Sequence, residues 1–221
     1  VQPIDREEFA AGVRWWQTKT SWPNDFHNNA YVELAALNPD GEFLDDWWPN
    51  FLRRLSRWRA VRPLSKAAVT ALLVANREHL GGAWHQACAP VKDLDITGVT
   101  WEQVRAFPEV VARLKPTKSR SPVFPSKFCH FLLPRIFPVF DNAAVGDSRS
   151  RGGRGPSTPL TYEGYFNLVK ETWAATPAEL QAEFVAELTR LVEGEGRSPL
   201  CDGFPMATKI TELALIGRRH A

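Results

Sequence analysis

Between Ser121 and Val145 the chain reads SPVFPSKFCHFLLPRIFPVFDNAAV, and two ionisable side chains there sit among aromatic and aliphatic neighbours. Lys127 lies on a helical run with Phe128, Phe131 and Leu132 around it. Burial would disfavour its charged form and leave an amine able to act as a nucleophile, although a long stem ordinarily lets the charge snorkel to water. Asp141 follows Phe137-Pro138-Val139-Phe140 at the expected N-cap of another helix. Aspartate is common there as a cap, and a carboxylate fixed in such a place can also stabilise developing positive charge. His130, three residues after Lys127, shares its helix face, and Asn142 adjoins the aspartate.

Other residues suit contact with a polyanion. From residue 112 to 154 nine Lys and Arg face two Asp, a net +7, against −5 for the rest of the chain. Lys118 and Arg120 precede the aromatic stretch, while Arg149, Arg151 and Arg154 follow it in the low-complexity run DSRSRGGRGPSTP. Such a cationic loop suits a phosphate backbone or an ordinary surface linker. A second cluster, Arg53, Arg54, Arg57, Arg59, Arg62 and Lys66, contains no acid. Nine Trp supply either core volume or flat faces for stacking a base. Trp15, Trp16, Trp22 and Phe26, in an N-terminal segment of unclear periodicity, read equally as pocket walls and as a lid packed on the core.

Ser126-Lys127 on one helix, followed by F-P-V-F-D-N-A-A-V leading into the next, resembles the active-site region of the helix-hairpin-helix DNA glycosylases. There a catalytic lysine begins the helix after the hairpin in the bifunctional members, and a loop of the form V-P-V-D-x-H-V presents an aspartate at the start of the next helix. The resemblance implies that Asp141 matches the aspartate and Lys127 the lysine. It also implies an all-α fold and a flipped base as substrate; no cofactor and no metal are expected. The stretch departs from the pattern at Ser121-Pro122-Val123-Phe124-Pro125, which has no glycine, and at Ala143, where the family places a histidine. A 14-residue interval and a missing glycine hairpin favour a monofunctional enzyme, with Lys127 contacting phosphate or base.

The elements that must position these residues read as helices. The spacing predicts helices over 28–37, over 42–59 with its apolar face on Phe43, Trp47, Phe51 and Leu55, and from Ser65 to Leu80, stopped by Gly81-Gly82. Thr100 and Gln103 form a capping box ahead of a helix that Pro108 breaks or restarts. Thr176-Pro177-Ala178-Glu179 predicts a further capping box with proline in the first turn, and Pro205 to Ile216 predicts a last helix. Period-two alternation is scarce and no internal repeat appears, so the expected fold is all-α. We expect one compact helical unit over 1–221, or two helical lobes (about 30–120, and 121–221 with the N-terminal segment) flanking a cleft.

With 44% hydrophobic and 24% charged residues over 221 positions, the chain is globular in composition. No apolar run reaches the roughly 18 residues that span a bilayer, and Val1-Gln2-Pro3-Ile4-Asp5 does not resemble a secretion signal. Three cysteines without a C-x-x-C pair argue against a disulfide framework or zinc cage and for a reducing cytoplasm. The five scattered histidines suggest no metal site, and the sequence lacks G-x-S-x-G, P-loop and H-E-x-x-H patterns. Adjacent Asp45 and Asp46 do not face one another on a helix. The expectation is a monomeric DNA glycosylase acting on a damaged or modified base in double-stranded DNA, in repair or in defence against phage DNA. The alternatives are a non-catalytic nucleic-acid binder on the same fold, separated by mutating Asp141, and a helical protein-interaction module, separated by a salt-dependent DNA gel shift.

Overall fold

The computed structural model describes residues 1–20, 31, 41–61, 65–115, 121–145, 161–194, 197 and 199–220. Within them every regular element is a helix: α1 (Arg6–Lys19), α2 (Trp47–Arg57), α3 (Lys66–Ala83), α4 (Trp101–Val104), α5 (Ala106–Arg113), α6 (Val123–Leu132), α7 (Asn142–Val145), α8 (Tyr162–Ala175), α9 (Ala178–Val192) and α10 (Met206–His220). None of the described helices is long and apolar enough to cross a membrane.

The core is organised around α6 and α10. Every residue from Phe124 to Leu132 is buried, and so is every residue from Thr208 to Gly217. Phe128 of α6 meets Phe51, Trp48 and Phe107, so α2 and α5 close over one side of that helix. On the other flank α10 crosses α1 closely enough that backbone meets backbone. A Cβ on Gly12 would fall on the Leu213 carbonyl, and one on Gly217 on the Glu8 carbonyl, so both positions need glycine for space. Glu8 secures the crossing, accepting two hydrogen bonds from Arg218 at 2.7 and 2.8 Å. It also completes a capping box with Asp5 at the start of α1. A single connected set of buried apolar side chains runs from Ile4 to Ile216.

Several sequence expectations hold and others are corrected. The Thr100–Gln103 capping box forms, and the helix restarts at Ala106 with Pro108 in its new first turn. Gly81-Gly82 does not stop α3, which continues to Ala83 and then through a π-helical turn over Trp84–Cys88. Each glycine costs about 1 kcal/mol in a helix, but continuing buries Leu80, Ala83, Trp84, Ala87 and Cys88, which outweighs it. The second helix begins at Trp47, not residue 42, with Asp46 as its N-cap. Thr176 does not cap α9. Its hydroxyl accepts from the Ile4 amide and donates to the Thr172 carbonyl, and Pro177 takes the N-cap position without a side-chain bond. The expected helix over 28–37 lies outside the described residues, apart from Tyr31.

Candidate functional site

The segment joining α6 to α7 carries Asp141, and buried side chains pin it residue by residue. The Phe137 carbonyl accepts from His130 Nδ1 at 2.7 Å, and the Pro138 carbonyl accepts from the Tyr162 hydroxyl at 3.0 Å. The Val139 amide donates to Glu212 Oε1 at 2.5 Å, and the Phe140 amide donates to Ser126 Oγ at 3.1 Å. Four consecutive peptides are thus held by side chains from α6, α8 and α10. An irregular segment buried this deeply must satisfy its polar backbone groups, and these residues do so.

Asp141 then starts α7. Its Oδ1 accepts from the Ala143 amide at 2.9 Å, the bond expected of an N-cap. Its Oδ2 faces Lys127 Nζ at 3.8 Å, with the aspartate side chain 35% exposed and the lysine 9%. Lys127 does not snorkel. Its ammonium donates to the Trp58 carbonyl at 2.7 Å, and burial lowers its pKa while Asp141 and Glu212 partly restore it. Asn142 is exposed beside the aspartate.

Behind this pair lies a second ion pair that sequence reasoning did not single out. Lys209 and Glu212 of α10 are both buried, with Nζ and Oε2 3.6 Å apart. The Lys209 ammonium sits over the Trp16 ring at 4.5 Å from its centroid and 5.9 Å from that of Trp58. Burial pushes the Glu212 carboxyl up to about 7, against the pull of Lys209 and the Val139 amide. The legible signal was an opposite-charge i,i+3 pair inside TKITELALIG, a stretch otherwise apolar enough to be buried on all sides. Tyr165, stacked edge-on against Phe140 at 5.2 Å, is fully buried, and its hydroxyl has no hydrogen-bond partner among the described residues. Burial together with nearby Glu212 and Asp141 raises its pKa.

The other candidate residues are placed as follows. His130 is buried with both ring nitrogens engaged. Its pKa falls to about 3 through burial, so the ring is neutral, Nδ1 carries the proton given to Phe137, and Nε2 accepts from the Tyr31 hydroxyl at 2.7 Å. It holds the segment rather than facing a ligand. Trp16 is brought to the charged cluster through Lys209, whereas Trp15 stacks on His220 at 5.1 Å on the outer side of α1. Trp22, Phe26, Lys118, Arg120, Arg149, Arg151 and Arg154 lie outside the described residues. Two cavities of about 230 and 330 Å³ share Asp93 and Arg135 as lining, and neither is lined by Lys127 or Asp141. No group of three metal-ligating side chains converges among the described residues, and Cys88, Cys129 and Cys201 are not joined in disulfides. Comparison with protein-family models, with curated proteins and with solved structures finds no match to this chain.

Proposed function

We propose that the protein is a monofunctional DNA N-glycosylase, with Asp141 as its catalytic carboxylate, acting on a modified or damaged base flipped from double-stranded DNA. The observation that carries this reading is the approach of two residues 14 apart in sequence, a buried lysine and a half-exposed N-cap aspartate, to 3.8 Å on a segment pinned at four successive peptides. A preorganised carboxylate suits a reaction that builds positive charge on a sugar. The C1′–N bond breaks with its electron pair leaving on the base. Water adds to C1′ and passes a proton to Asp141, and the base takes up a proton from solvent. The ammonium of Lys127 faces the carboxylate's Oδ2 at 3.8 Å and fixes its orientation. Three cysteines outside any disulfide suit a reducing compartment.

The test is a panel of duplexes, each carrying one modified base, incubated with protein and then treated with alkali. Wild-type protein should leave alkali-labile abasic sites in at least one duplex. The Asp141→Asn variant should bind that duplex and leave it intact, because asparagine can still cap α7 but cannot take the proton. Undiminished turnover by Asp141→Asn would reduce the aspartate to a helix cap.

A further inference from the structure

Two non-glycine residues adopt the left-handed backbone conformation, Phe43 at φ 54° and Arg59 at φ 56°. Such a conformation is costly for a residue with a Cβ and persists where the surroundings enforce it. For Phe43 the reason is visible: the ring is fully buried against Trp47, Trp84 and Phe107. Packing gives no such reason for Arg59. It occupies the position after the C-cap of α2, where the Ala60 amide bonds to the Leu55 carbonyl at 2.9 Å and the Arg59 amide to Ser56 at 3.0 Å. This is the helix-terminating arrangement that ordinarily takes glycine. The side chain is exposed, and its guanidinium has no hydrogen bond or ion pair among the described residues.

Its surroundings give the placement meaning. Arg59 is bonded directly to Trp58, whose carbonyl holds the Lys127 ammonium at 2.7 Å. Its charge is felt at Lys127, where it lowers the lysine's pKa together with Lys209 and against Asp141 and Glu212. Three cations therefore meet two carboxylates around Lys127, and only the arginine among the cations is open to solvent. The solvent-exposed share of this positive charge is the Arg59 guanidinium, where an arriving polyanion would meet it.

We propose that Arg59 is a phosphate-binding residue, held in a strained conformation so that its guanidinium grips the nucleic-acid backbone beside the Lys127–Asp141 pair. This rests on the DNA-directed reading above. Arginine suits the task because its planar fork can take two phosphate oxygens at once.

Arg59→Gly tests it, since strain and function then move in opposite directions. Binding is measured to a duplex carrying a tetrahydrofuran abasic analogue over a range of salt concentrations, with thermal unfolding alongside. Arg59→Gly should melt about 3 °C higher, because glycine relieves the left-handed backbone. It should bind about five- to tenfold more weakly, with the slope of log K on log salt shallower by about 0.9. Arg59→Lys should retain most of the salt slope, which separates a phosphate contact from a backbone effect. Binding by Arg59→Gly with wild-type affinity and salt slope would overturn this inference while leaving the glycosylase reading in place. Failure of the wild-type protein to bind any duplex would overturn both.

Discussion

Lys127 is held by the Trp58 carbonyl at 2.7 Å and faces Asp141 Oδ2 at 3.8 Å, and that surrounding sets its role. An amine that attacks C1′ must be deprotonated, mobile and within about 3–3.5 Å of the sugar. Burial helps with the first requirement, but the bond to Trp58 works against the second. Borohydride should therefore trap no covalent protein–DNA adduct, and Lys127→Ala should slow base release without changing its alkali-labile product. An adduct with wild-type protein that vanishes in Lys127→Ala would reverse the assignment. Ser126, beside it on α6, accepts the Phe140 amide. Ser126→Ala should cost about 1–3 kcal/mol in urea unfolding by orphaning a buried donor, and should lower kcat more than affinity as Asp141 loses its register. The lysine and aspartate were legible as chemistry because their residue types are anomalous among Phe, Leu and Pro. The roles of Ser126, His130, Tyr162 and Glu212 were not, since each serves a peptide group that is distant or irregular, and no periodic pattern encodes such a bond.

At the scale of elements, glycine illustrates what local propensity reveals and what it hides. Read locally, Gly81-Gly82 ends a helix; in the protein the helix passes through, and a Cβ on Gly82 would meet nothing within 4 Å. Gly12 and Gly217 look unremarkable in the sequence, yet they set the separation of α1 from α10. Gly82→Ala should therefore stabilise the protein by about 0.5–1 kcal/mol. Gly12→Ala should destabilise it by about 1–3 kcal/mol, because two backbones must part. Chemical denaturation of the two variants beside wild type checks both signs. The separation also reaches the candidate site, because α1 carries Trp16 over Lys209 and α10 carries Glu212 under Val139. Gly12→Ala should accordingly impair base release even where most of the chain remains folded. Helix identity was readable from apolar spacing, whereas the close crossing depends on partners some 200 residues apart.

For the whole molecule, two buried groups give the pH dependence its shape. The Glu212 carboxyl is raised to about 7, so from about pH 4.5 to 7 the native state keeps a proton that the unfolded chain has lost, and stability falls as pH rises. His130 is lowered to about 3, so below about 6.5 the unfolded chain takes a proton that the native state refuses, and stability falls as pH drops. Between about 4.5 and 6.5 the two slopes oppose each other and their contributions cancel. The double variant Glu212→Gln/Lys209→Met removes one slope and leaves no orphaned buried charge. Relative to wild type, its unfolding free energy should climb by about 1.4 kcal/mol per pH unit across that interval, measured by urea titrations at several pH values. Parallel curves for the two proteins would mean that Glu212 titrates as an ordinary carboxyl in the fold.

The crossing of α1 with α10 has a further consequence, for the order in which the protein is made. At about 5–20 residues per second, some 10–40 s separate the synthesis of α1 from that of α10. Until α10 leaves the ribosome, the face of α1 that carries Gly12 and Trp16 has no helix to cross it, and Lys127 lacks Lys209 and Glu212 as neighbours. The nascent chain thus carries this face uncovered throughout the interval between the two helices. A chaperone that holds such faces would find it there, and would have to release it only after residue 220 had emerged.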